Sequence, residues 1–129
     1  MPPAARTMTV MIVEDDASVR ELLSETLTEG GLRVIGIDVA ENALAALAPS
    51  RPDVMVLDLG MPAGTMQGME LLARLREDPA WRTLPVIILS AVGDVVNRDV
   101  TTRLGVAAVL SKPLTDVYQL IEIIRSVVG

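Results

Sequence analysis

Five times in succession a short apolar, β-branched run is followed by a longer segment with the period of a helix, and few folds accept that alternation. Strands are expected at residues 8–13, 32–37, 54–57, 86–89 and 106–110. Three of these runs are almost wholly apolar, as central strands of a parallel sheet covered on both faces should be. The second, LRVIGIDV, is more polar and reads as an edge. Between the strands, Val19, Leu22, Leu23, Thr26 and Leu27 recur at helical spacing, with Ser18 or Asp16 as N-cap and Gly30-Gly31 as the stop. A short alanine-rich helix is expected over 41–48, ended by Pro49, and a third over 66–77 with Met69, Leu72 and Leu75 inward. Val95, Val96, Val100 and Leu104 mark a fourth, weak in propensity, and Val117, Leu120, Ile121, Ile124 and Val128 a fifth. Strict alternation implies a doubly wound α/β domain with right-handed crossovers and helices on both faces of a five-stranded parallel sheet.

The 129 residues, half of them hydrophobic, suit one buried domain; residues 9–129 are read as that domain, after an N-terminal tail at 1–8. No apolar run approaches the ~18 residues of a membrane span, and MPPAART lacks the apolar core of a secretory signal, so a soluble, cytoplasmic protein is expected. The chain has no cysteine and no histidine. That excludes disulfides, thiolate metal sites, cysteine nucleophiles and histidine-based acid/base catalysis. A net charge of -6 and a pI near 4.5 argue against direct binding of nucleic acid or an anionic membrane. Lys112 is the one lysine beside ten arginines. At such a position a compact, mobile ammonium has a use that a planar guanidinium does not.

In open α/β sheets, ligands sit outside the carboxyl ends of the strands. There the sequence places Glu14, Asp15 and Asp16 after the first strand, Asp58 after the third, Ser90 after the fourth and Lys112 after the fifth. Grouped carboxylates repel and take up protons unless a cation offsets them, and oxygen ligands suit Mg²⁺. Asp15 and Asp58 are the first choices as direct ligands. With its field partly neutralised, Asp58 can act as a nucleophile toward an activated phosphoryl group. The phosphoryl oxygens then need the metal, a hydroxyl such as that of Ser90, and the Lys112 ammonium, while Ala91 leaves room for the group.

With these residues in order, the sequence resembles the receiver domain of two-component response regulators from about Thr9 to Val128. The resemblance rests on IVEDD, VLDLGMP, LSA and the KP dipeptide, each at a strand end. It implies a flavodoxin-like sheet of order 2-1-3-4-5. It also implies Asp58 as phosphoacceptor, Asp15 as direct Mg²⁺ ligand, Glu14 holding a metal-bound water and Gly60 offering its carbonyl. Ser90 is then the hydroxyl that moves toward the phosphoryl group, and Lys112 the countercharge before a cis bond to Pro113. Asp16 is expected to start the helix instead of ligating. The implied partners are a histidine kinase or phosphotransfer protein as donor and a downstream effector, with a homodimer through the fourth and fifth helices also admitted. No enzymatic turnover beyond the domain's own phosphotransfer and slow autodephosphorylation is implied.

Two departures from the family stand out. Val109 occupies the position of a switching aromatic, so transmission must use another route, such as the loop after Ser90 where Gly93 gives backbone freedom. Residues 63–67 add two positions to the loop beside Asp58, where insertions are readily accommodated. Trp81 is expected to be a local packing anchor and the methionines core. An aspartate-based phosphatase is disfavoured because Gly60 cannot supply the acid that such enzymes place two residues after the nucleophile. A phosphorylation-independent interaction module is the remaining alternative, and a flavin site is disfavoured by the acids after the first strand.

Overall fold

The computed structural model describes residues 7–90, 98–112 and 116–128, with the backbone alone at 98 and 100. Its elements alternate without exception: β1 (Thr9–Val13), α1 (Ala17–Glu29), β2 (Arg33–Ile37), α2 (Ala40–Ser50), β3 (Val54–Asp58), α3 (Gly68–Glu77), β4 (Val86–Ser90), α4 (Arg98–Arg103), β5 (Ala108–Ser111) and α5 (Val117–Val128). The sheet is parallel throughout and ordered β2-β1-β3-β4-β5, so the winding reverses between β1 and β3.

Period-two side-chain alternation divides the core in two. Met11, Val13, Met55, Leu57, Val86 and Ile88 meet Ala43, Leu47, Leu71, Leu72 and Leu75 of α2 and α3 on one face. On the other, Val10, Ile12, Val54, Val56, Ile87 and Leu89 meet Leu23, Leu27, Leu120, Ile121 and Ile124 of α1 and α5. The three central strands are buried along their whole length, which is why their sequences show no polar alternation. The edge strands β2 and β5 are only partly covered.

Several sequence-based expectations are corrected. Pro49 does not end α2, which runs to Ser50. The proline lies in the last turn, so its missing N–H removes a single helical bond, and the chain leaves the helix only at Arg51 (φ 47°), whose N–H reaches Leu47 O at 2.8 Å. Leu22 is 58% exposed, because the buried stripe of α1 is no wider than Leu23 and Leu27 with Val19 at its margin. In α3, which begins at Gly68, Leu71 is buried and Met69 only partly so. Strand β5 starts at Ala108, two residues later than its apolar run suggests. Leu104 follows α4 and packs on the α2–α3 face with Val106. Val95, Val96 and Gly93 lie outside the described residues.

Of the two N-cap candidates for α1, Asp16 serves: its Oδ1 accepts from Ser18 N at 2.9 Å and Val19 N at 3.2 Å. Gly30 and Gly31 stop the helix, Gly31 with φ 90°.

Candidate functional site

Four strand ends converge above β1 and β3. Glu14 follows β1, and its N–H extends the ladder to Ile37 O at 2.9 Å. From α1, the Arg20 guanidinium donates to Glu14 O at 2.8 Å, so the backbone here is held from both sides. This turns the Glu14 side chain inward, where 1% of it is exposed. Asp15 next to it is exposed. Asp58 is the last residue of β3, almost fully buried, with Oδ1 accepting from Gly60 N at 3.2 Å. Ser90, also buried, is the last residue of β4.

Lys112 lies one residue past β5, its N–H bound to Ser90 O at 2.8 Å. Strands β5 and β3 are two spacings apart, roughly 10 Å. The lysine stem crosses that gap over β4. Its Nζ stands 2.7 Å from Glu14 Oε2 and 2.9 Å from Asp58 Oδ2. The sequence placed Lys112 opposite Asp58; its equally close approach to Glu14 is new.

Burial is the main reason the Glu14 carboxyl is pushed up from 4.5 to about 7; Lys112 opposes that rise and Asp58 adds to it. Burial also works against the Lys112 ammonium, yet hydrogen bonds and attraction from Glu14 and Asp58 outweigh it and hold its pKa above the ordinary value. One cation therefore faces two buried carboxylates, with a third at the rim.

Ligand oxygens of Glu14, Asp15 and Asp58 all lie within 4.8 Å of one another. Glu14 Oε2 is buried and, among the described residues, has no partner other than the Lys112 ammonium at 2.7 Å. A close set of three carboxylates facing a single ammonium has too little positive charge and hard oxygen donors, which fits a small divalent cation. Asp16 is committed to capping α1.

The structure thus brings Glu14, Asp15, Asp58, Gly60 and Lys112 together and sets Ser90 beside them through the backbone. Val109 is 43% exposed on β5. Ala91 and Pro113, and with Pro113 the expected cis bond, lie outside the described residues.

Two contributors, Arg20 and Gly68, are not singled out by the sequence reading, and the structure adds how the 63–67 loop is held. Arg20 clamps Glu14, six residues away in the chain. Gly68 packs α3 onto the acceptor strand: a Cβ there would stand 2.9 Å from Asp58 O and 3.0 Å from Leu59 Cα. The longer loop at 63–67 is tied down, with Met66 N donating to Glu41 Oε1 of α2 and the Gln67 amide reaching the carbonyls of Met61, Pro62 and Thr65. A glycine at a helix start is the local signal for Gly68, the extra length is the signal for the 63–67 loop, and Arg20 has none.

Residues 10–125 match the family model of the response regulator receiver domain. The chain is 36% identical over 104 residues to the KDP operon transcriptional regulatory protein KdpE of Escherichia coli, covering 81% of this chain and 44% of that protein. An uncharacterised 14.6 kDa protein of Leptolyngbya boryana is 36% identical over 118 residues, covering 92% and 88%. Against regulators such as KdpE, the chain spans less than half of the relative's length. Among solved structures, a response regulator receiver protein from Pseudomonas putida superposes with a TM-score of 0.84 at 31% identity, covering 95% of this chain and 98% of that one. Among the described residues, no helix is long and apolar enough to cross a membrane.

Proposed function

We propose that this chain, which belongs to the response regulator receiver domain family, is a signalling switch controlled by phosphorylation of Asp58. The observation that carries this reading is the Lys112 ammonium lodged between Glu14 and Asp58, with Asp15 at the rim of the same cluster. The receiver unit is read as residues 9–129, after a tail at 1–8.

Asp15, Asp58 and the Gly60 carbonyl would hold Mg²⁺, with Glu14 acting through a water. When bound, Mg²⁺ supplies positive charge that offsets the carboxylates and the incoming phosphoryl oxygens. The chain's own residues do the rest. A carboxylate oxygen of Asp58 attacks the phosphorus of a phosphohistidine on the donor, the new O–P bond forming as the P–N bond breaks and its electron pair returns to the imidazole. Burial of Asp58 excludes bulk water from the acyl phosphate. Lys112, held by Ser90 O, is placed to move its ammonium from the carboxylates onto a phosphoryl oxygen. Ser90 and Ala91 would receive the group from the β4 side. Hydrolysis by water at phosphorus resets the switch slowly, without turnover of any other substrate.

The donor is a histidine kinase or phosphotransfer protein, since the chain has no histidine. The recipient of the signal is an effector protein or domain, and the compartment is the cytoplasm. Val109 cannot serve as a rotating aromatic, which leaves the segment after Ser90 to transmit the change. Exposed Tyr118 on α5 and Val109 on β5 offer apolar surface for a homodimer through α4 and α5.

Incubation with Mg²⁺ and acetyl phosphate, followed by intact-mass and peptide mass spectrometry, should find one phosphoryl adduct on Asp58. Labelling of Asp58→Asn at comparable stoichiometry refutes the assignment. Equal affinity of a partner for the phosphorylated and unphosphorylated forms would instead support the phosphorylation-independent module.

A further inference from the structure

At the opposite end of the sheet, below the amino ends of β3, β4 and β5, three adjoining hollows form one groove. The first lies around Arg51 and Trp81, and the middle one shares Trp81 with it. Thr83, Leu84 and Pro85 continue from the middle hollow into the third and largest, about 590 Å³, which adds Arg76, Arg82 and Arg103. The groove is separated from Asp58 by the length of the strands, about 17 Å for five residues.

Its charge runs against that of the molecule. In a chain of net charge -6, four of ten arginines line this one feature. Among the described residues none of the four guanidinium groups pairs with a carboxylate. Asp53, the one acid in the wall, accepts a hydrogen bond from Thr9 N at 2.8 Å. Arg76 is held in place by carbonyls instead, donating to Leu104 O at 2.5 Å and more weakly to Gly105 O and Trp81 O at 3.4 Å. Its partial burial without an anion depresses its pKa. Arg51, Arg82 and Arg103 are exposed and free to turn toward a ligand.

The groove between the arginines is apolar, with Leu84, Pro85, Leu104 and Val127 along it and half-buried Trp81 midway. We propose that this groove binds an extended acidic segment of a partner protein, its carboxylates on Arg51, Arg82 and Arg103 and an apolar side chain against Trp81. Guanidinium forks match carboxylates in pairs, and a tryptophan face takes an aliphatic side chain. The shape favours a peptide over a small anion: a small ligand requires a pocket that encloses most of its surface, whereas exposed residues line this groove on one side. Contact here leaves the phosphoacceptor end unobstructed, so the inference stands whether or not Asp58 is the acceptor.

Trp81 is the only tryptophan in the sequence and therefore reports on the groove directly. The experiment titrates the protein with a blocked octapeptide of aspartate-glutamate pairs separated by leucines, following Trp81 emission. Saturable binding is expected, weakened about tenfold or more in the Arg82→Glu, Arg103→Glu double variant and by raising salt to about 0.3 M. Thermal unfolding establishes that the variant is folded, and the milder Arg82→Gln, Arg103→Gln pair replaces it if it is not. No saturable change, equal affinity in the folded variant, or tighter binding of tripolyphosphate than of the peptide would each overturn the proposal.

Discussion

Lys112 Nζ lies 2.7 Å from Glu14 Oε2 and 2.9 Å from Asp58 Oδ2, bridging two carboxylates that enter from different strands. One ammonium cannot neutralise both, and the remaining negative charge explains why the cluster suits a divalent cation. It also makes Lys112 the group whose shape is most constrained.

Lys112→Arg retains the charge but replaces a compact point donor with a wide planar fork. Seating such a fork requires the buried Glu14 and Asp58 side chains to shift from the positions they hold around the ammonium. Phosphorylation by acetyl phosphate should survive in part, while the change in partner affinity on phosphorylation is reduced. Quantitative labelling paired with a partner-binding assay measures the two separately; wild-type values in both would show that guanidinium serves equally well.

Metal-free stability should fall as pH rises from about 4.5 to 7. Glu14 is raised to about 7 in the folded protein against an ordinary 4.5, so the folded state binds the proton more tightly throughout that window. The cost of ionising it is absent below the window and fully felt above it, on the order of 3 kcal/mol. Urea unfolding in the presence of a chelator should show this slope, and Glu14→Gln should largely remove it. A wild-type slope retained in Glu14→Gln would assign the effect to another group.

Gly68→Ala should cost about 1–3 kcal/mol, because the two closest of the three contacts of the added Cβ are backbone and cannot rotate away. Gly60→Ala is the contrast: among the described residues its Cβ would meet only Asp58 Oδ1, at 3.9 Å. Equilibrium unfolding of the two variants should separate them, with Gly68→Ala also shifting the acceptor strand. Equal stabilities would mean that α3 yields without penalty.

Asp16→Ala should destabilise the protein by about 1 kcal/mol through loss of the α1 cap, whereas Ser18→Ala should change little. Denaturant midpoints decide between the two residues. The reverse order would make Ser18 the effective cap in solution.

Much of this molecule was legible one segment at a time. The apolar runs at 54–57 and 86–89 mark β3 and β4 as central strands covered on both faces, whereas the equally apolar run at 106–110 belongs to the partly exposed edge strand β5. The acidic residues after β1, Asp58, Ser90 and Lys112 were recognisable as strand-end residues, and a doubly wound sheet brings its strand ends to one edge. Errors arose where a local rule met a tertiary boundary. By local rule Pro49 signals a stop, although only its own helical bond is lost in a last turn, and periodicity puts Leu22 on the inward face, although the sheet covers a narrower stripe of α1.

Order along the chain is a local property: strand periodicity, helix caps and the residue types at each strand end depend on neighbours a few positions away, and these the amino-acid sequence carries openly. The reach of Lys112 to Glu14, the Arg20 clamp on Glu14, the seating of Gly68 on Asp58 and the arginine-lined groove join residues from 6 to 98 positions apart, the last being Glu14 and Lys112 (112 minus 14). Those contacts exist only once the strands are ordered β2-β1-β3-β4-β5 and their register is set, because a shift of one residue would turn every side chain to the other face.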